Sequence, residues 1–282
     1  MNEKLIQQWN LYTGEDHAVW EILFTRQHAS LQQKACSTYL DCLSQSVLRP
    51  GQVPDLGLLS ANLQQATGWQ IEVVKGIIPV QDFMQLLANK RFCSSTWLRQ
   101  RHQLDYLEEP DMFHDIFGHI PLFYNAQYAD FACRFGQLGL RWIHNPAAMA
   151  LLERLYWFTI EFGLIREHGN VRIYGAGLLS SFGETNYVMQ GAQVNTHAFT
   201  VRDVLCMPFR NDAIQTDYFV LESWPQLWQC LAETEAFLHD VEAGKIALET
   251  LRLDAQKGSV AMPAPKAKLP VEDFVATFGV NA

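Results

Sequence analysis

Apolar positions recur at helical spacing along much of the chain, and that rhythm sets most of the expected elements. Between residues 15 and 47, Trp20, Leu23, Phe24, Leu31, Tyr39 and Leu43 keep close to a 3.6-residue period, which predicts one long amphipathic helix. Arg49-Pro50-Gly51 stops it. The same pattern predicts helices over 55–66, 81–90, 125–142, 147–167 and 224–248. Three short apolar runs, 70–74, 171–174 and 218–222, read as strands. Residues 76–80 read as a loop, 95–99 as a short extended piece and 100–107 as a polar linker. The expected fold class is therefore mainly α with a few short β-strands. No repeat and no domain boundary interrupts the pattern before the Pro-, Ala- and Lys-rich stretch that starts at Gln256. This predicts one domain over 1–255, with N-terminal helices in 1–69 and a core in 70–255, and a surface tail over 256–282.

Composition narrows the function. Hydrophobic residues make up 49% of the 282 and charged residues 18%, as in a globular chain with a sizeable core. Seventeen Phe, nine Tyr and eight Trp are enough to fill that core and also to line a pocket for a flat apolar ligand. The formal charge of −9 gives no basic footprint for nucleic acid or an anionic membrane. The start, Met-Asn-Glu-Lys-Leu-Ile, lacks the apolar core of a signal peptide, and no uncharged apolar run reaches membrane-spanning length. Six cysteines without C-x-x-C spacing read as reduced thiols, and the expected location is the cytoplasm.

The candidate chemistry centres on Glu109-Pro110-Asp111-Met112-Phe113-His114-Asp115-Ile116-Phe117-Gly118-His119-Ile120-Pro121. Residues five apart sit roughly 140° apart on a regular helix, so His114 and His119 do not share one face. Such a pair suits a helix end or a local distortion, which Gly118 would permit, and Pro121 would stop the helix. If both histidines hold a metal, the acid that completes the set comes from Asp115, Glu153, Glu161, Glu167 or Glu184. Glu161 stands in the most apolar of these surroundings, Tyr156-Trp157-Phe158-Thr159-Ile160-Glu161-Phe162-Gly163-Leu164, where an unpaired carboxylate is costly. Two histidines and one carboxylate describe a mononuclear non-haem Fe(II) site. The zinc-protease motif H-E-x-x-H is absent, and no cysteine stands at finger spacing. The 2-oxoglutarate oxygenases would show H-x-D/E ahead of a distant histidine on a β-rich barrel, whereas here the order is His, His, acid. In Gly175-Ala176-Gly177-Leu178-Leu179-Ser180-Ser181-Phe182-Gly183-Glu184, Ser180 replaces the last glycine of a dinucleotide fingerprint, so this stretch reads as close backbone packing beside a pocket.

These three motifs, in this order, resemble the pterin-dependent aromatic amino acid hydroxylases over roughly residues 70–225. The resemblance implies an Fe(II) ion on His114, His119 and Glu161, with a tetrahydropterin and O₂ as co-substrates. It implies that Arg99 clamps the substrate carboxylate, that Gly177 and Ser180 hold the amino acid's backbone atoms, and that Trp157 packs beside its ring. Gly76, Ile78 and Phe83 match the pterin loop, with Phe83 stacking on the ring. Tyr156 and Asp115 are implied near iron and pterin, although many animal members carry Glu at the latter position. Glu184 is implied to order the pocket through hydrogen bonds. The apolar Val201 favours phenylalanine, converted to tyrosine in phenylalanine catabolism, over tyrosine or tryptophan as substrate. The chain is similar to the compact bacterial members, which are mainly monomers. The remaining alternative is a metal-binding relative without catalysis.

Overall fold

A computed structural model describes residues 5–256 except 106, 108 and 192. Of the expected tail, 256–282, all but Gln256 lies outside the described residues, and so does part of the 100–107 linker. The helices are α1 (Gly14–Leu31), α2 (Ser37–Gln45), α3 (Leu56–Thr67), α4 (Val80–Ala88), α5 (Ala126–Trp142), α6 (Pro146–Tyr156), α7 (Ala176–Ser180), α8 (Phe182–Gln190), α9 (Val201–Cys206) and α10 (Trp224–Glu242). The strands are β1 (Gln70–Val73), β2 (Arg91–Ser94), β3 (Leu164–Glu167), β4 (Asn170–Ile173), β5 (Asn195–Ala198) and β6 (Asp217–Leu221). The fold is mainly α with short strands. Local chemistry explains many of the helix starts. Thr13 and Asp16 form a capping box on α1, while Asp55, Asn125, Asn145 and Ser181 each accept a backbone N–H of the helix that follows.

Two small sheets carry the strands. β1 and β2 pair in parallel, from Gln70 opposite Arg91 to Val73 opposite Ser94, and α4 connects them. The other sheet has the order β4-β3-β6-β5. Its β3–β4 pair is antiparallel and the rest is parallel. One cluster of buried apolar side chains runs from Val19 on α1 to Leu251 beyond α10.

Two expectations are corrected. The helix predicted over 15–47 is two helices, broken at 32–36 without any Gly or Pro. There Ile173 donates its N–H to the Lys34 carbonyl (2.8 Å), and the Cys36 N–H bonds the Ile173 carbonyl (2.8 Å), so the chain leaves the helix to extend β4. The helix predicted over 147–167 ends earlier. After Tyr156 it widens into a π-helical turn, Trp157–Glu161, and the chain then becomes β3. The stretch 175–184 packs its backbone closely, as expected, since a Cβ at Gly177 would stand 3.1 Å from the Glu161 carbonyl, and it forms α7 and most of the first turn of α8. In addition, the extended piece near 95–99 lies earlier, as β2, and β5 and α9 were not signalled by the pattern.

Candidate metal centre

The π-helix answers the spacing problem of the two histidines. Residues His114–His119 form a π-helical turn, whose i→i+5 bonding brings residues five apart into line. His114 Nε2 and His119 Nε2 lie 3.2 Å apart. Gly118 contributes by lacking a side chain: a Cβ there would stand 2.7 Å from the Ala176 carbonyl of α7. A second π-helical turn, at the end of α6, delivers Glu161 to the same point. Its Oε1 is 3.2 Å from His119 Nε2 and its Oε2 is 3.8 Å from His114 Nε2. The other acids are engaged elsewhere. Glu167 accepts the Ser37 N–H (2.9 Å) at the start of α2, and Glu153 accepts from Gln256.

Protonation suits a cation. Burial, with His119 adding to it, pulls the His114 imidazole down to about 4 against the opposing charge of Glu161, so the ring is neutral at pH 7. Its tautomer follows from the bonding. The Ser180 hydroxyl donates its one hydrogen to the Ala176 carbonyl (2.8 Å), so it can only accept from His114 Nδ1 at 2.9 Å. His114 Nε2 therefore carries a bare lone pair toward the centre. Burial alone would push Glu161 up, but the imidazoles of His119 and His114 and the Tyr156 hydroxyl outweigh it and hold the carboxyl below its ordinary range. Ligand atoms about 2.1 Å from one ion stand roughly 3.0–3.4 Å apart at bond angles of 90–109°. The two 3.2 Å separations fall in that range, so the donor set fits a single divalent metal ion.

The triad opens onto a solvent-open cavity. Gly76, Ile78, Phe83, Asp115 and Tyr156 line it together with His114, His119 and Glu161. Phe83 meets Tyr156 edge-on, with ring centroids 5.4 Å apart. Asp115 Oδ2 accepts the Ser95 N–H (2.9 Å), yet burial still raises its carboxyl to about 7. Sequence patterns give no sign of Phe92, Cys93, Ser95 and Trp97, which also line the cavity. Pairing of β2 with β1 brings them there. Phe92 lies against the His119 ring, 4.5 Å between centroids.

The remaining sequence candidates do not line this cavity but surround the triad. Gly177 backs onto Glu161, and a Cβ there would lie 3.3 Å from Glu161 Oε2. Ser180 holds His114. Arg99 is buried, and its Nε and Nη2 donate to the two oxygens of Asp111, each at 2.9 Å. Burial would raise the Asp111 carboxyl, but the Arg99 charge and hydrogen bonds overcome it and hold it down. Asp111 Oδ1 also accepts the His114 N–H (3.2 Å), which ties Arg99 to the histidine turn. Asp111 is visible in the motif, but only the fold reveals it as the partner of Arg99. Trp157 is buried, stacked on Phe209 at 4.4 Å, and donates to Gln215 (3.1 Å). Glu184 is half-buried, and burial, reinforced by the charge of Glu161, raises its carboxyl to about 8.

The model of the family "Biopterin-dependent aromatic amino acid hydroxylase" matches residues 5–241. The chain belongs to this family. Among relatives of this aromatic amino acid hydroxylase, a phenylalanine-4-hydroxylase of Ralstonia nicotianae is 45% identical over 217 residues, 77% of this chain and 69% of the relative. Two crystal structures of Chromobacterium violaceum phenylalanine hydroxylase share its fold. One, with bound iron(III) and the oxidized cofactor 7,8-dihydrobiopterin, has a TM-score of 0.79 at 38% identity, covering 94% of this chain and 90% of the other. The other, bound to iron and phenylalanine, has a TM-score of 0.77 at 36% identity, covering 94% and 91%. No helix among the described residues is long and apolar enough to cross a membrane.

Proposed function

We propose that the chain is a monooxygenase that converts L-phenylalanine to L-tyrosine, using Fe(II), a tetrahydropterin and O₂. The observation that carries this reading is the convergence of His114, His119 and Glu161 at the wall of an aromatic cavity, in a chain of the hydroxylase family. The names of the relatives supply the substrate, and their bound groups supply the iron and the pterin.

In this reading His114, His119 and Glu161 hold the iron. Gly76, Ile78, Phe83, Asp115 and Tyr156 hold the pterin. Arg99 takes the substrate carboxylate, Trp157 packs beside the substrate ring, and Gly177, Ser180 and Glu184 shape that side. The bound iron and pterin supply the activation of O₂ and the two electrons it needs. The chain's own residues supply position. Ser180 fixes the His114 ring with its lone pair inward, and Tyr156 holds Glu161 by a hydroxyl bond. Asp111 occupies one edge of Arg99 and leaves the guanidinium's other N–H groups for a carboxylate. Phe83, Phe92 and Tyr156 exclude water from the cavity wall.

We also read residues 1–255 as one catalytic domain followed by a tail, a reading supported by the single apolar cluster from Val19 to Leu251. A cytoplasmic monomer is the matching state. The six unpaired cysteines support a reducing compartment, and light scattering would give the mass in solution.

The test is tyrosine formation from phenylalanine by metal-stripped protein with tetrahydropterin and O₂, with and without Fe(II). Tyrosine that requires both iron and pterin is expected. Hydroxylation of tryptophan or tyrosine instead would move the specificity, and no product from any of the three would remove the catalytic reading.

A further inference from the structure

Arg26 on α1 has no part in the reading above, yet it reaches the linker that follows Arg99. Its Nη2 donates to the Leu104 carbonyl at 2.8 Å, and its Nη1 pairs with Asp105. Its guanidinium lies 4.8 Å over the Phe182 ring at the start of α8. Arg26 therefore joins α1, the linker and the 175–184 stretch. The same Leu104 carbonyl stands 3.5 Å from Arg99 Nη1, at the limit of a hydrogen bond. Arg99 gives its Nε and one Nη2 hydrogen to Asp111 and points one Nη1 hydrogen weakly at Leu104, so its unspent donors are one on Nη1 and one on Nη2.

We propose that Arg26 is a positioning residue for amino acid binding: by holding the Leu104 carbonyl it keeps Arg99 Nη1 available for the substrate carboxylate. The inference rests on the reading of Arg99 as the carboxylate-binding group. Without Arg26, the Leu104 carbonyl loses its firm donor, and Arg99 Nη1, already at 3.5 Å, closes on it instead. The carbonyl then competes with the substrate for the same N–H.

The experiment is steady-state kinetics of the iron-loaded enzyme on phenylalanine and on phenylalanine amide, which has no carboxylate. Arg26→Met raises KM for phenylalanine about tenfold, the loss of roughly one charge-assisted hydrogen bond. It leaves kcat, the pterin KM and the amide kinetics unchanged, and Arg26→Lys recovers most of the loss. Arg26→Gln, too short to reach Leu104, gives the same result as Arg26→Met and serves if the latter does not fold. An unchanged KM, or equal losses on phenylalanine and its amide, overturns the proposal. Arg99→Gln separates the two readings. If it erases the preference for phenylalanine over the amide while the Arg26 variants keep that preference, only the role of Arg26 fails. If it leaves the preference intact, the carboxylate role of Arg99 fails, and the proposal fails with it.

Discussion

Glu161 of the metal centre and Arg154 in the last turn of α6 lie seven residues apart in sequence, and their surroundings handle buried polarity in opposite ways. At the centre, His114, His119 and Glu161 turn their lone pairs toward one point, and the chain supplies no cation there. At Arg154, a fully buried guanidinium is closed off by the chain itself. It donates to the carbonyls of Leu205 (2.7 Å), Leu251 (2.7 Å) and Arg252 (3.0 Å) and to Gln256 Oε1 (2.7 Å). The contrast separates two uses of the same physics. A polar cluster left incomplete marks a place for a ligand, whereas a completed one fastens the fold. Here Arg154 fastens residues 251–256 to the helix whose continuation bears Glu161.

The largest expected effect comes from breaking the incomplete cluster. Glu161→Ala abolishes iron-dependent tyrosine formation and costs the metal-free protein only about 1 kcal/mol, the loss of the acceptor for the Tyr156 hydroxyl. It also removes the gain on adding metal, which is about 4 kcal/mol at a thousand times Kd in the parent. Urea unfolding with and without metal reads both quantities.

Breaking the completed cluster gives the reverse. Arg154→Met strands two buried carbonyls, those of Leu205 and Leu251, and costs on the order of 3 kcal/mol in the same unfolding assay, while the gain on adding metal is kept. Loss of metal affinity without loss of stability would mean the two regions are not separable in this way.

Two smaller effects sharpen the contrast. Ser180→Ala frees the tautomer of His114 and lowers metal affinity roughly 10–100-fold in a Co(II) titration. The last effect, read across pH, concerns Glu184. Its carboxyl is raised to about 8 in the folded state from an ordinary 4.5, so between these values the folded state binds more protons than the unfolded. Stability of the metal-free protein then falls as pH rises from about 4.5 to about 8. Glu184→Gln removes that part of the slope. Bound metal also weakens it, because Glu161 then no longer presents a bare charge, and denaturant midpoints across this pH range check both.

Much of the secondary structure could be read from periodicity, because α3, α4 and α5 each have clear caps or stops and a regular apolar face. The errors fall where a tertiary bond outweighs propensity. Nothing local breaks the chain at 32–36; Ile173 does, from the edge strand β4. Nothing in Leu155–Gly163 announces that the helix widens into a π-turn and ends, since every residue up to Phe162 is an ordinary apolar or helix-compatible one. The metal candidates were legible because unusual residue types stand in unusual surroundings, two histidines in a Pro-bounded turn and one acid in an aromatic run. The support around them was not. Phe92, Ser95, Asp111 and Gln215 are common residues whose partners are distant in sequence.

The sequence by itself determined the class of chemistry, because donor atom types and the apolar setting of Glu161 are properties of the residues. It also determined the mainly helical character, because periodicity is local. Only the tertiary structure decided that His114 and His119 share a face, through the π-helical turn, and that Glu161 rather than Glu153 or Glu167 meets them. It also decided how Arg99 divides its hydrogens between Asp111 and the space beyond. Those outcomes depend on hydrogen bonds between segments far apart in the chain, and no window of sequence contains both partners of such a bond.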